Sequence, residues 1–90
     1  MKDKKMIELL SYVKLSTYRV KVLLALNNQK KFVLASELSK IIDIRITHIG
    51  ATLKELTEKK LAYCPNPDVK RGKLYEITDI GKEIADYLEK

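Results

Sequence analysis

The stretch that most constrains this chain is "ELSKIIDIRITHIGATLKELTEKK", residues 37 to 60, where two apolar periodicities meet across a break of a few residues. Leu38, Ile41 and Ile42 recur at helical spacing before Asp43, and Ile49, Leu53 and Leu56 recur at spacings of four and three after it. The spacing predicts helices over 37–43 and about 46–60, each apolar on one side. Two such helices joined by so short a break turn their apolar sides to a common core, as in a helix-turn-helix. The residues at the joint fit. Ser39 is the small residue midway along the first helix, Asp43 stands where the turn favours a left-handed backbone, and Ile49 is the apolar residue that locks the second helix onto the first.

The flanking segments supply the rest of a core. Met6, Leu9, Leu10 and Val13 predict an amphipathic helix over 4–14, and Ser16 offers an N-cap oxygen to "TYRVKVLLALNN", which is apolar around most of its circumference and so is expected at the buried centre. After the polar break "NQKK", "FVLA" reads as extended, with Ser36 as the expected cap of the helix that follows. Downstream, "LAYC" and "LYEI" are short strand-like runs joined by "PNPDVKRGK", a connector rich in turn residues, so a β-hairpin with a basic tip is expected. Thr78 then caps a last helix over 79–89, with Ile80, Ile84, Ala85 and Leu88 on one side. The expected class is mainly α with a small β component, a helical core plus a two-stranded hairpin.

Ninety residues, 46% of them apolar, make one small domain spanning 1–90. The net charge is +6, a surplus that favours polyanionic partners or acidic membrane surfaces. It is unevenly spread: residues 74–90 set two lysines against five carboxylates, so the preceding part is more basic than the average. The lone Cys64 cannot form an internal disulfide, and "MKDKKMIELLSYVK" has no apolar run fit for a leader or a membrane span. A soluble, cytoplasmic chain with no membrane partner is expected. Catalysis is not, since one His, one Cys and scattered carboxylates form no nucleophile-base pair, phosphate-cradling loop or metal cluster, and no cofactor or metal is expected.

Taken together, "YRVKVLLAL", "LASELSKIIDIRITHIGATLKELTEKKLA" and "KRGKLYEITDIGKEIA" resemble the small winged helix-turn-helix transcriptional regulators of the MarR and ArsR type, especially short archaeal ones, over residues 16–86. The basic turn at Arg71 and Gly72, followed by "LYEIT" and "DIGK", is the most specific part. The resemblance implies a double-stranded DNA-binding regulator whose helix 46–60 enters the major groove and whose wing, residues 65–73, follows the backbone or minor groove. It places Thr47, Gly50, Ala51 and Lys54 on the groove side and Lys70, Arg71 and Lys73 on the wing; Arg45 and the flanking His48 join them as candidate contacts. The chain departs from the family where a hydroxyl residue is common at position 50, a basic one at 51 and a glycine at 60.

This groove side offers few groups for base discrimination, which usually takes Arg, Asn or Gln. Gly50 costs a helix roughly 1 kcal/mol relative to alanine, and with Ala51 it makes a flat patch that would let the helix backbone approach DNA closely. Two other functions fit the same elements. Winged helices also serve as protein-interaction or assembly modules without specific DNA binding. A single-strand or RNA binder would need exposed aromatics, whereas Tyr63 and Tyr75 are expected to point inward. The apolar stripes on helices 4–14 and 79–89 either pack on each other within one chain or pair two chains as a homodimer through these terminal helices, the pairing that the resemblance implies.

Overall fold

The computed structural model describes residues 4–29 and 31–90. Among them run helices α1 (Lys4–Lys14) and α2 (Thr17–Asn27), strand β1 (Val33–Leu34), helices α3 (Ala35–Ile42) and α4 (Ile46–Glu58), strands β2 (Ala62–Tyr63) and β3 (Leu74–Ile77), and helix α5 (Asp79–Leu88). Of the expected polar break before β1, Lys30 lies outside the described residues. No helix is long and apolar enough to cross a membrane among the described residues.

The centre is α2, which touches α1, α3, α4, α5 and β3. Val22, Leu23 and Leu26 on it are buried, and Leu38, Ile49, Leu53, Leu56, Leu61 and Ile84 close around them. Ser16 starts α2 as expected, its hydroxyl accepting the Arg19 N–H at 3.3 Å. From the same turn the Arg19 side chain ties three helices together. It donates to the Tyr12 carbonyl at 2.8 Å and to Glu55 at 3.1 Å, and its guanidinium lies 3.8 Å from the centre of the Tyr12 ring.

The joint between α3 and α4 is built by the residues the spacing singled out. Asp43 adopts the left-handed conformation (φ 53°, ψ 47°), Ser39 donates its hydroxyl to the Ile44 carbonyl at 2.6 Å, and Ile49 is fully buried. The start of α3 differs from expectation. Leu34 precedes the first turn in extended conformation, and its N–H donates to the Glu37 carboxylate at 2.8 Å. A carboxylate reaching back three residues therefore ends the strand and opens the helix, and Ser36 lies inside it, exposed. Ile41 is also not inward but 55% exposed, because α3 is rolled so that Leu38 and Ile42, one turn apart, face the core.

Two further corrections concern the β part. It is a three-stranded antiparallel sheet in the order β1-β3-β2, not a two-stranded hairpin, because the extended "VL" pairs with β3 through Val33↔Tyr75 and Leu34↔Leu74. On the other edge, Ala62↔Ile77 and Tyr63↔Glu76 pair. Ala62 and Ile77 face the core, so the alternation turns Tyr63 outward, and it is 53% exposed; Tyr75, in register with buried Val33, points inward as expected.

Helix α4 ends at Glu58 rather than Lys60, and Lys60 takes a left-handed φ of 66°. The Leu61 N–H reaches the Leu56 carbonyl at 2.9 Å and the Lys60 N–H the Thr57 carbonyl at 3.0 Å, the hydrogen-bond pair of a Schellman cap. Thr78 caps α5 as expected, accepting from the Gly81 N–H at 3.0 Å while donating to the Lys60 carbonyl at 2.7 Å. Gly81 is buried against this seam, where a Cβ would collide with the Leu61 carbonyl oxygen and lie 2.7 Å from the Ile77 side chain. The inward side of α5 is accordingly Gly81, Ile84, Ala85 and, half-buried, Leu88; Ile80 sits at its exposed margin.

Candidate nucleic-acid interface

Helix α4 has three usable flanks once Ile49, Thr52, Leu53 and Leu56 are committed to the core. At roughly 100° per residue, Thr47, Ala51 and Lys54 point straight away from that core, and all three are exposed. To one side lie Ile46, Gly50 and Thr57, and to the other His48. His48 is not a free side chain. Its ring stacks on Tyr18 of α2, with centroids 4.9 Å apart and planes 32° from parallel, which fixes the flank of α4 nearest α2. Arg45 stands exposed before the first turn, in extended conformation, with no side-chain hydrogen bond to the helix.

The Ile46–Gly50–Thr57 flank faces the loop between β2 and β3, and the space between them is an open groove of about 690 Å³. Of the candidate contacts, Gly50 and Lys54 line it from the helix, and Lys70, Arg71 and Lys73 line it from the loop. Thr47, His48, Ala51 and Arg45 do not. Thr47 and Ala51 point outward beside it, Arg45 precedes α4, and His48 lies on the opposite flank against Tyr18. Residues that sequence reasoning missed share the lining, among them Leu34, Ala35 and Ser36 at the start of α3, Ile46, Glu58 and Tyr75. The contribution of Leu34, Ala35 and Ser36 depends on β1 joining the sheet, which brings the start of α3 beside the loop.

The loop is positioned by one side chain. Asn66 accepts the Leu74 N–H at 2.9 Å through Oδ1 and donates to the Gly72 carbonyl at 3.1 Å through Nδ2, spanning the loop's neck. Pro65 and Pro67 beside it have no N–H to extend the ladder, so a side-chain amide takes over where backbone pairing stops. Gly72 supplies the left-handed turn, φ 80°, that returns the chain to β3. The Cys64 thiol is half-buried and 3.5 Å from the same Asn66 oxygen.

The charge around the groove is one-sided. Lys54, Lys70, Arg71 and Lys73 make no ion pair or hydrogen bond through their side chains among the described residues, where Arg19–Glu55 is the one ion pair, and Glu58 is the single carboxylate lining the groove. At the inner wall, burial and, secondarily, the Cys64 thiol push the Tyr75 phenol above its ordinary pKa. Among the described residues, no three His, Cys, Asp or Glu side chains gather where a metal ion could sit.

A second surface lies on the outer side of the sheet. Phe32, just before β1, and Tyr63 on β2, both exposed, stand with ring centroids 6.4 Å apart and planes inclined at 52°. No protein family, curated protein or solved structure matches the chain.

Proposed function

We propose that the protein is a double-stranded DNA-binding transcriptional regulator, cytoplasmic, and of winged helix-turn-helix type. In this reading α3 and α4 are the helix-turn-helix, α4 lies in the major groove, and the loop of residues 65–73 is the wing, following the backbone or the neighbouring minor groove. The observation that carries it is the convergence of unpaired cations from two parts of the chain: Lys54 from α4, and Lys70, Arg71 and Lys73 from a loop held in place by Asn66. Cations on both walls of a groove suit a phosphodiester strand passing between helix and loop, while Thr47, Ala51 and the backbone at Gly50 approach the base edges. Binding to mixed-sequence duplex across a salt series tests this. Lys54→Ala and Arg71→Ala are each expected to weaken binding and reduce the slope of log affinity against log salt by about 1. Unchanged affinity and slope in both would sink the reading.

A homodimer through the terminal helices belongs to the same proposal. Leu9, Val13 and Ile84 from the two stripes are buried within one chain, and α1 touches α5 there, so only the outer part is left for a partner. That part is half-buried Met6, Leu10 and Leu88 and the exposed Ile80, with Ile7, outside either stripe, exposed on the same helix α1. The pairing would set two α4 helices on one side of the duplex, about one DNA turn apart. One observation favours a second reading. The exposed Phe32–Tyr63 pair is the kind of ring platform on which unpaired bases stack, so preferential binding of single-stranded over duplex DNA, lost in Tyr63→Ala, would move the assignment there. A protein-assembly role would instead leave function intact after reversal of the loop charges.

A further inference from the structure

We infer that the outer face of the sheet is a docking site for an arginine side chain of a partner protein, received by the Phe32 and Tyr63 rings and the carboxylate of Glu76. None of the three lines the groove that α4 forms with the β2–β3 loop, so the site is independent of the DNA-binding reading.

Register brings the three residues together. Glu76 pairs with Tyr63 and, because Tyr75 and Ile77 on either side of it are buried, turns to the outer face with the Tyr63 ring. The Val33↔Tyr75 pairing sets Phe32, one residue earlier, level with Glu76 from the other side. Positions flanking a central strand are about 9.5 Å apart, two strand spacings. The ring centroids are only 6.4 Å apart, so the rings lean toward each other across β3 at the level of Glu76, their planes opened at 52°. Glu76 is the only charged residue of the three strands and is half-buried there. Among the described residues it makes no ion pair or side-chain hydrogen bond. Its charged neighbours along the strands are Lys31, Lys73 and Asp79. Lys73 lines the groove, Lys31 and Asp79 are exposed, and neither lysine pairs with Glu76.

Two ring faces and a carboxylate attract a cation and oppose an anion. The fold itself shows which cation suits such a set: the Arg19 guanidinium lies 3.8 Å from the centre of the Tyr12 ring while donating to Glu55 at 3.1 Å. On the sheet the rings and the carboxylate recur, and no guanidinium of the described residues joins them. Being planar and weakly hydrated, a guanidinium can lie on a ring and still direct N–H groups at a carboxylate, which a compact, strongly hydrated ammonium does less well. The setting points to a protein as its source. Small-molecule sites are concave, whereas these rings stand exposed on a sheet face, and exposed aromatic residues that receive an arginine are the composition of a protein–protein hot spot. Unpaired bases could stack on the same rings, but Glu76 opposes the phosphates that would come with them.

Titration of the full chain with a capped Leu-Arg-Leu peptide, followed by NMR of the aromatic rings and amides, tests the site. Saturable shifts are expected at the Phe32 and Tyr63 rings and at the Glu76 amide. The lysine counterpart should bind several-fold more weakly, and the citrulline counterpart, which keeps the shape without the charge, should leave these signals unmoved. Glu76→Gln should weaken peptide binding roughly fivefold or more while melting within a few degrees of the parent chain, since no contact of the fold uses that carboxylate. Tyr63→Ala is the second variant and should weaken it similarly. Agmatine, the same guanidinium on a short amine, should bind more weakly than the peptide. No saturable shifts at the rings, equal binding of the citrulline peptide, or binding unchanged in both variants would overturn the site. Agmatine binding as tightly as the peptide would overturn a protein as the source, and a short oligothymidylate that moves the same ring signals more strongly would give the surface to unpaired bases instead. Duplex binding enters none of these readouts, so they hold whether or not the chain binds DNA.

Discussion

Lys60 holds a left-handed conformation at the place where a Schellman cap usually has glycine. For a residue with a Cβ this conformation costs about 1–2 kcal/mol, part of which glycine would return through its freer unfolded chain. Lys60→Gly is therefore expected to stabilise the fold by roughly 0.5–1 kcal/mol, raising the melting temperature by a few degrees; a fall in thermal denaturation would show that Lys60 supplies a contact outweighing its backbone strain. Tyr75 has the opposite character, a neutral group that the fold protects. Its phenol is held above its ordinary value of 10.0 by burial and then by Cys64, so the unfolded chain releases this proton first. The stability it contributes is complete below about pH 10 and is lost as pH rises from there through the folded-state value. Chemical denaturation at a series of alkaline pH values should show a steeper loss for the parent chain than for Tyr75→Phe, and equal slopes would remove Tyr75 from the account.

At the scale of elements, a side chain stands in for backbone pairing at the neck of the β2–β3 loop and adds to it at the α4–α5 seam, where the Thr78 N–H also donates to the Leu61 carbonyl at 3.2 Å. Asn66 satisfies two backbone groups across the loop's neck, and Thr78 joins the end of α4 to the start of α5 through the Lys60 carbonyl. Removing the Asn66 amide forfeits two hydrogen bonds to the backbone and the weak one from the Cys64 thiol, on a partly exposed loop where each contributes on the order of 1 kcal/mol or less. Asn66→Ala is expected to destabilise the fold by roughly 1 kcal/mol and to speed amide exchange at Leu74. It leaves Lys70, Arg71 and Lys73 untouched in charge, so weaker duplex binding in this variant, at an unchanged salt slope, is the expected sign that loop position matters to the proposed interface. Exchange at Leu74 as slow as in the parent chain would mean that the loop is held by something else.

For the whole molecule, the question is what the outer edge of α1 and α5 does. Ile7 and Leu15 are exposed on and just after α1, and Ile80 stands at the margin of α5, while the stripe residues Leu9, Val13 and Ile84 are already buried in the chain's own core. If the homodimer forms, Ile7→Glu should shift sedimentation at micromolar concentration from dimer to monomer and leave the melting temperature within a few degrees, because an exposed residue contributes little to the fold. Leu9→Glu, by contrast, should unfold the chain, since it places an unpaired charge in the core. A parent chain that sediments as a monomer removes the dimer.

What the sequence determined by itself is the local content. Helical spacing, the N-caps at Ser16 and Thr78 and the left-handed turn at Asp43 are set by residues within four positions of one another, where sterics and capping chemistry act without the rest of the chain. The basic loop was legible in the same way. The tertiary structure decided what needs a partner far along the chain. Two residues of β1 carry no signal for pairing with a strand forty residues later, yet that pairing makes the third strand and brings the start of α3 to the groove. Whether Ile41 or Ile42 turns inward, and whether Tyr63 or Ala62 does, hangs on a roll or a register that periodicity leaves undetermined by one residue. Gly50 and Gly81 look alike in sequence, both within helices, and only the surroundings separate them: at Gly81 a carbonyl stands where a side chain would be, and at Gly50 there is open space.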